Sequence, residues 1–226
     1  MKEDFLLFQI NDAAFPIGAY THSYGLETYI LKDYVKNRED VFKYVKSNTV
    51  NTFLYTDLLA AYKSYEYAKD NNLKGILEIE EILEASKMPI EIRTASQKLG
   101  SRFIKTIDAL GINSKKEIWS RYIQSTVSKV HPTAYGTLCY SVGIPVDMAM
   151  ERYLFSYVSA AVINAVKLIP LSQTEGQQIL YKCSDFFEEI LEKLKTLDID
   201  DLCMSTPGFD IRCMQHERLY SRLYMS

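Results

Sequence analysis

An all-α fold, a single globular bundle of about eight to ten helices with a C-terminal helical tail, is predicted by three features of the sequence. Only 9 Gly and 6 Pro interrupt its 226 residues, too few to punctuate many short strands. Apolar residues recur at intervals of three and four along most of the chain, the spacing that lines one face of a helix. The hydrophobic fraction is 47% and the charged fraction 24%, values of an ordinary globular chain that exclude disordered and collagen-like classes.

Taken in order, residues 11–27 (NDAAFPIGAYTHSYGLE) begin as a loop punctuated by Pro16 and Gly18, with a helix opening at Thr21 or His22 and running through Glu27. Residues 38–70 lack Gly and Pro and place Val41, Tyr44, Val45, Phe53, Leu54, Leu58 and Ala61 at helical spacing, enough for one or two helices. Leu73 to Met88 repeats the pattern above an acidic face of Glu78, Glu80, Glu81 and Glu84, and Pro89 stops it. Glu91 to Leu110 is amphipathic and ends at Gly111; Gly100 inside it disfavours the helix by about 1 kcal/mol against Ala, which predicts close helix packing there. Ser114 with Glu117 and Ser172 with Glu175 have capping-box spacing. Residues 146–169, introduced by Pro145, are apolar over a bilayer's width. Asp147, Glu151, Arg152, Asn164 and Lys167 oppose membrane insertion, so a central helix buried nearly all round is expected. Gln177 to Leu197 reads as one long amphipathic helix and Ile211 to Leu223 as a last short one. The clearest break is Pro207-Gly208, so residues 1–206 are expected to form the helical domain and 207–226 a detachable tail. No interval of about 20 to 50 residues repeats, which argues against a solenoid.

A net charge of −3 from 26 basic and 29 acidic residues offers no footprint for a phosphate backbone, so no nucleic-acid partner is expected. The acidic start Met1-Lys2-Glu3-Asp4, before a short apolar run, lacks a secretory signal, and a cytoplasmic location follows. Cys139, Cys183, Cys203 and Cys213 are scattered and read as reduced thiols. The 17 Tyr suit surfaces with one apolar and one wet side, in a core or at a protein interface.

Catalytic signatures are missing. No phosphate-cradling G-x-x-x-x-G-K-[ST] loop and no G-x-S-x-G elbow occurs. The adjacent carboxylates Glu80-Glu81, Glu188-Glu189 and Asp200-Asp201 cannot face one another on a helix and read as solvated faces. Cys213 and His216 share a helix face and are the weak candidates for a metal contact, although a closed site usually needs more ligands than this pair. No cofactor is expected. The alternative enzyme reading, a ligand held between helices with His22 or His131 as acid or base, requires a buried pocket with a carboxylate near either histidine.

The two ends resist a bland explanation. The first groups Tyr20, His22, Ser23, Tyr24 and Glu27 on a short loop, and scaffolded loops often bind partners. The last, FDIRCMQHERLYSRLYMS, interleaves Arg212, His216, Glu217, Arg218 and Arg222 with Ile211, Met214, Leu219, Tyr220, Leu223 and Tyr224. An amphipathic tail rich in Tyr, Met and Arg fits either a partner's groove or the chain's own body.

These same ends resemble the urease accessory protein UreF family. The resemblance is carried by Phe15 to Glu27 (FPIGAYTHSYGLE), by EIRTASQKLGSRFIKT at 91–106, HPTAYG at 131–136, IPLSQTEGQ at 169–177, and MQHERLYSRLYMS at 214–226. Where many members read Thr-Gly-Gly after the proline, this chain has Ile17-Gly18-Ala19. The resemblance implies an all-α, non-enzymatic homodimer that binds UreD (UreH in some systems), recruits the GTPase UreG and serves nickel delivery to apo-urease subunits. The partner-binding residues expected are Tyr20, His22, Ser23, Tyr24 and Glu27 at one end and Arg212, His216, Glu217, Arg218, Tyr220, Arg222, Leu223 and Tyr224 at the other. Dimer contacts are expected from Tyr20 and from Glu151 and Phe155, where charged and aromatic residues interrupt an otherwise buried run.

Overall fold

The structure is a computed structural model that describes residues 2–112, 114, 116–125, 127–204 and 206–226, without the side chain of Tyr20. Its α-helices are α1 (Lys2–Ile10), α2 (Leu26–Leu31), α3 (Arg38–Asn48), α4 (Leu59–Lys69), α5 (Leu73–Ser86), α6 (Ile90–Ala109), α7 (Glu117–Gln124), α8 (His131–Val142), α9 (Val146–Leu168), α10 (Gln173–Cys183), α11 (Phe187–Thr196) and α12 (Pro207–His216). Among the described residues there is no strand. α3 and α4 are joined through a π-helix, Thr49–Leu58, into one continuous rod. With that rod counted once, eleven α-helical units are described, slightly more than the eight to ten the apolar spacing predicts.

The central helix is α8, not α9. Pro132, Thr133, Ala134, Tyr135, Gly136, Thr137, Leu138, Cys139 and Ser141 are all buried, and α8 packs on α4, α5, α6, α7 and α9. Hydropathy alone underrates this helix because of its hydroxyls. Thr137 and Ser141 donate to the carbonyls of Thr133 and Thr137, so these hydroxyls bury without loss of hydrogen bonding. The backbones of α8 and α4 meet at Gly136, where a Cβ would collide with the carbonyl oxygen of Ala61. α9 instead keeps an outward stripe of Met148, Glu151, Phe155 and Ile163, so it is not buried all round. No helix among the described residues is long and apolar enough to cross a membrane.

Other expectations fare unevenly for identifiable reasons. Ser172 and Glu175 form the capping box of α10, but Ser114 does not cap α7: its hydroxyl bonds Lys116 N and the carbonyl of Ser141. Gly100 does mark a close approach, against the main chain of Lys129 and Val130 rather than a neighbouring helix. The 177–197 stretch is broken by a 3-10 turn, Ser184–Phe186, which swings Phe186 into the core beside Phe42. A helix does not open at Thr21 or His22; Gly25 adopts φ +84° and α2 starts after it. A side chain there is barred twice, since a Cβ would also come within 2.9 Å of Cys213 Sγ.

Glu80 is a correction of another kind. It is fully buried rather than on a solvated face, accepting hydrogen bonds from the Tyr122 hydroxyl and from Val130 N at 2.8 Å. Burial outweighs those donors and the nearby Lys129, and pushes its carboxyl up to about 8 from an ordinary 4.5. The folded chain therefore holds a proton that the unfolded chain releases. The stabilisation is fully present below the ordinary value and is lost as pH rises through the folded one. Glu80→Gln retains both contacts, its amide oxygen facing Val130 N and its NH₂ facing the Tyr122 hydroxyl. Urea melts are expected to show the variant flattening the fall in stability between about pH 5 and about pH 8, and exceeding the parent at the upper end.

Candidate functional site: a clasp between the two ends of the chain

The loop before α2 and the segment after α12 are brought together as one structure. α12 packs on α2 and α6, seating Cys213 and His216 in the interior. Beyond His216 the chain leaves the helix, against the expectation of a helix to Leu223: turn bonds from Arg218 N and Leu219 N to the carbonyls of Gln215 and His216 close it, and further on another acceptor holds the amides of Leu223 and Tyr224. Glu27, buried in the first turn of α2, takes Leu223 N on Oε1 at 2.7 Å and Tyr224 N on Oε2 at 3.2 Å. The same Oε2 lies 3.1 Å from His216 Nε2. On its other side His216 Nδ1 lies 2.7 Å from Glu91 Oε2, and Glu91 Oε1 accepts from Arg222 Nη1 at 2.6 Å. Two carboxylates, an imidazole and a guanidinium thus lock three segments.

A second set of bonds closes the end. The Ser226 carbonyl oxygen accepts from Ser23 N, Tyr24 N and the Ser23 hydroxyl at 2.6, 3.1 and 2.8 Å. Met225 N donates to Thr21 O, and His22 Nδ1 lies 2.8 Å from the Ser226 hydroxyl. Burial, with Lys98 and Arg102 nearby, holds the His22 imidazole below its ordinary value, so it is neutral at pH 7. Asn164 of α9 donates to the His22 carbonyl, tying the clasp to the bundle.

The predicted binding residues accordingly divide. His22, Ser23, Glu27, His216 and Tyr224 are buried in the clasp. Arg222 is exposed but bonded to Glu91, and Arg212 stacks over Tyr29 and Tyr34. Facing outward are Glu217 and Arg218, together with Tyr220 (107% exposed), Leu223 (65%) and Met225. Tyr24 is partly exposed, with its backbone at positive φ. The side chain of Tyr20 lies outside the described residues. Glu151 and Phe155 sit on the outward stripe of α9 and take no part in the clasp hydrogen bonds. Residue-by-residue reading missed Glu91 and Asn164, which sit on otherwise ordinary helices; the signal for Glu91 was its place at the head of the 91–106 motif.

Cys213 and His216 do not gather a third ligand: among the described residues no group of three or more His, Cys, Asp and Glu could hold a metal ion. Burial pushes the Cys213 thiol well up. The carboxylate that the enzyme reading requires does occur near a histidine, in a cavity of about 150 Å³ lined in part by Asp57, Lys87, His131, Tyr153 and Tyr157. That Asp57 is spoken for, with both oxygens within 3.3 Å of Lys87 Nζ. His131 Nδ1 faces the Tyr153 hydroxyl, and burial brings the imidazole down to about 4. Asp57 is thus paired with Lys87, and His131 with Tyr153 through Nδ1, while His131 Nε2 is buried without a hydrogen-bond partner among the described residues.

The structure is thus an all-α body whose two ends are clasped together, with Arg218, Tyr220 and Leu223 exposed over the clasp. The comparisons place the chain in a family. The sequence model of the UreF family matches residues 35–184. The urease accessory protein UreF of Lachnoclostridium phytofermentans is 34% identical over 97% of both chains, and that of Bacillus sp. (strain TB-90) 33% over 97% of both. The urease accessory protein UreF of Sporosarcina pasteurii is 30% identical over 89% of this chain and 100% of its own. The chain belongs to the UreF family of urease accessory proteins.

Proposed function

We propose that this chain is a urease maturation factor working as a non-catalytic scaffold in the cytoplasm. It binds UreD (UreH in some systems) and, through that complex, recruits and regulates the GTPase UreG for nickel insertion into apo-urease. The observation that carries this reading is the outward surface at Glu217, Arg218, Tyr220 and Leu223, held over the clasp in a chain similar to urease accessory proteins along almost its whole length. Exposed aromatic and aliphatic side chains flanked by Arg are what interface centres are made of. The clasp supplies preorganisation, since a segment already ordered loses little entropy on binding. Nickel is cargo here. Co-purification from the same cell tests the reading: the tagged chain should retain UreD and apo-urease subunits, and UreG when UreD is present. Recovery of the chain alone would refute it.

A homodimer is part of the proposal, with contacts from the loop at Tyr20 and from Glu151 and Phe155 on α9. Phe155 is 44% exposed, so its replacement does not open the core. Phe155→Asp is expected to give a folded monomer in sedimentation, with helical circular dichroism unchanged, because a carboxylate cannot be buried unpaired at an apolar contact. An unchanged dimer would exclude Phe155 from the interface.

A further inference from the structure

Beside the clasp runs a groove of about 230 Å³ lined by Ile17, Ile90, Ala95, Leu99 and Met225, with Lys98 and Arg102 on its wall. Ile90 and Met225 are 61% and 60% exposed, an apolar pair on the groove's rim. The charges along it are unbalanced. Glu91 also lines the groove, but its two oxygens are taken by His216 and Arg222. Neither Lys98 nor Arg102 has a carboxylate within 4.0 Å among the described residues; Arg102 donates instead to the carbonyl of Ile17 at 3.4 Å. Lys98, Arg102 and Lys105 are all exposed and follow one another at intervals of four and three on α6, so like charges stack along a single helix face. Such spacing is mildly unfavourable in an isolated helix. It is also a local reversal in a chain of net charge −3.

We propose that this groove receives an acidic, amphipathic segment of the partner bound at the clasp: an apolar side chain seats between Ile90 and Met225, and carboxylates meet Lys98 and Arg102. This rests on the clasp reading above and adds the partner's chemistry to it. Charge complementarity of this kind steers association and fixes register. Met225 belongs to both the clasp and the groove wall, so one partner can cover the two surfaces without a break.

The test uses the full chain and purified UreD as the probe. Wild type should lose about tenfold in affinity between low and high salt, as exposed charge pairs are screened. Lys98→Glu with Arg102→Glu should weaken binding by about a hundredfold at low salt and reverse the salt dependence, since added salt then screens a repulsion. Lys98→Arg with Arg102→Lys should bind as wild type. The neutral pair Lys98→Gln with Arg102→Gln, expected to fall in between, serves as the check should the reversed pair fold poorly. Unchanged affinity in both charge-removing pairs, or wild-type binding indifferent to salt, overturns the groove proposal and leaves the clasp reading standing. No binding of UreD by wild type overturns both. A change in homodimerisation with UreD binding intact would mean that a second copy seats here, which also overturns it.

Discussion

Glu27→Ala is expected to destabilise the chain by about 2 to 4 kcal/mol and to free its last residues from the body. One carboxylate serves Leu223 N, Tyr224 N and His216 Nε2 at 2.7, 3.2 and 3.1 Å. Its removal orphans two backbone donors and leaves a fully buried imidazole held by Glu91 alone. Each buried group left unmade costs about 1 to 3 kcal/mol, and water entering beside exposed Leu223 recovers part of that. The effect should be local as well as global. Hydrogen exchange at Leu223 and Tyr224 is expected to accelerate far more than at buried α8, because the tail opens without the bundle. Glu27→Gln keeps one acceptor oxygen and should fall between the two. Amides at 223 and 224 that stayed protected in Glu27→Ala would show that the tail is held instead by its apolar contacts and by the bonds of Met225 and Ser226 to Thr21, His22, Ser23 and Tyr24.

Much of this architecture was legible in the sequence. Apolar spacing located the helices at 38–70, 73–88 and 91–110, and Ser172-Glu175 marked the start of α10. The end of the last helix was not legible: α12 stops at His216 instead of reaching Leu223, whose amide is held by Glu27, 196 residues away. Nor can hydropathy reveal that hydroxyl-rich α8 is the centre, since the Thr137 and Ser141 bonds form only once it is a buried helix. The same blindness hid Glu80, whose spacing matched a wet face while its partners, Tyr122 and Val130, lie 42 and 50 residues away. For the site, both ends were singled out from their unusual mixture of Tyr, His, Arg and Glu. That His22, Ser23, Glu27, His216 and Tyr224 hold one another, leaving Tyr220 and Leu223 to face outward, required the three-dimensional pairing of residues almost 200 apart.

Tyr220→Ala with Leu223→Ala is expected to weaken partner binding by about a hundredfold while leaving the fold untouched. Tyr220 is fully exposed and Leu223 65% exposed, so neither contributes appreciably to the chain's own core. In a complex each would bury a large apolar side chain, about 1.5 to 3 kcal/mol apiece, and an aromatic at an interface centre commonly ranks among the residues that dominate affinity. Together they predict a loss of about a hundredfold or more in UreD affinity, and urease activation should fall with it. Substitution is the sharper instrument here, because deleting residues 209–226 would also strip buried Cys213, His216 and Tyr224 from the interior. The decisive measurement is the affinity of purified UreD for this double variant, taken beside its melting temperature. The account predicts affinity reduced about a hundredfold at an unchanged melting temperature. UreD binding at wild-type strength by the folded double variant would contradict it.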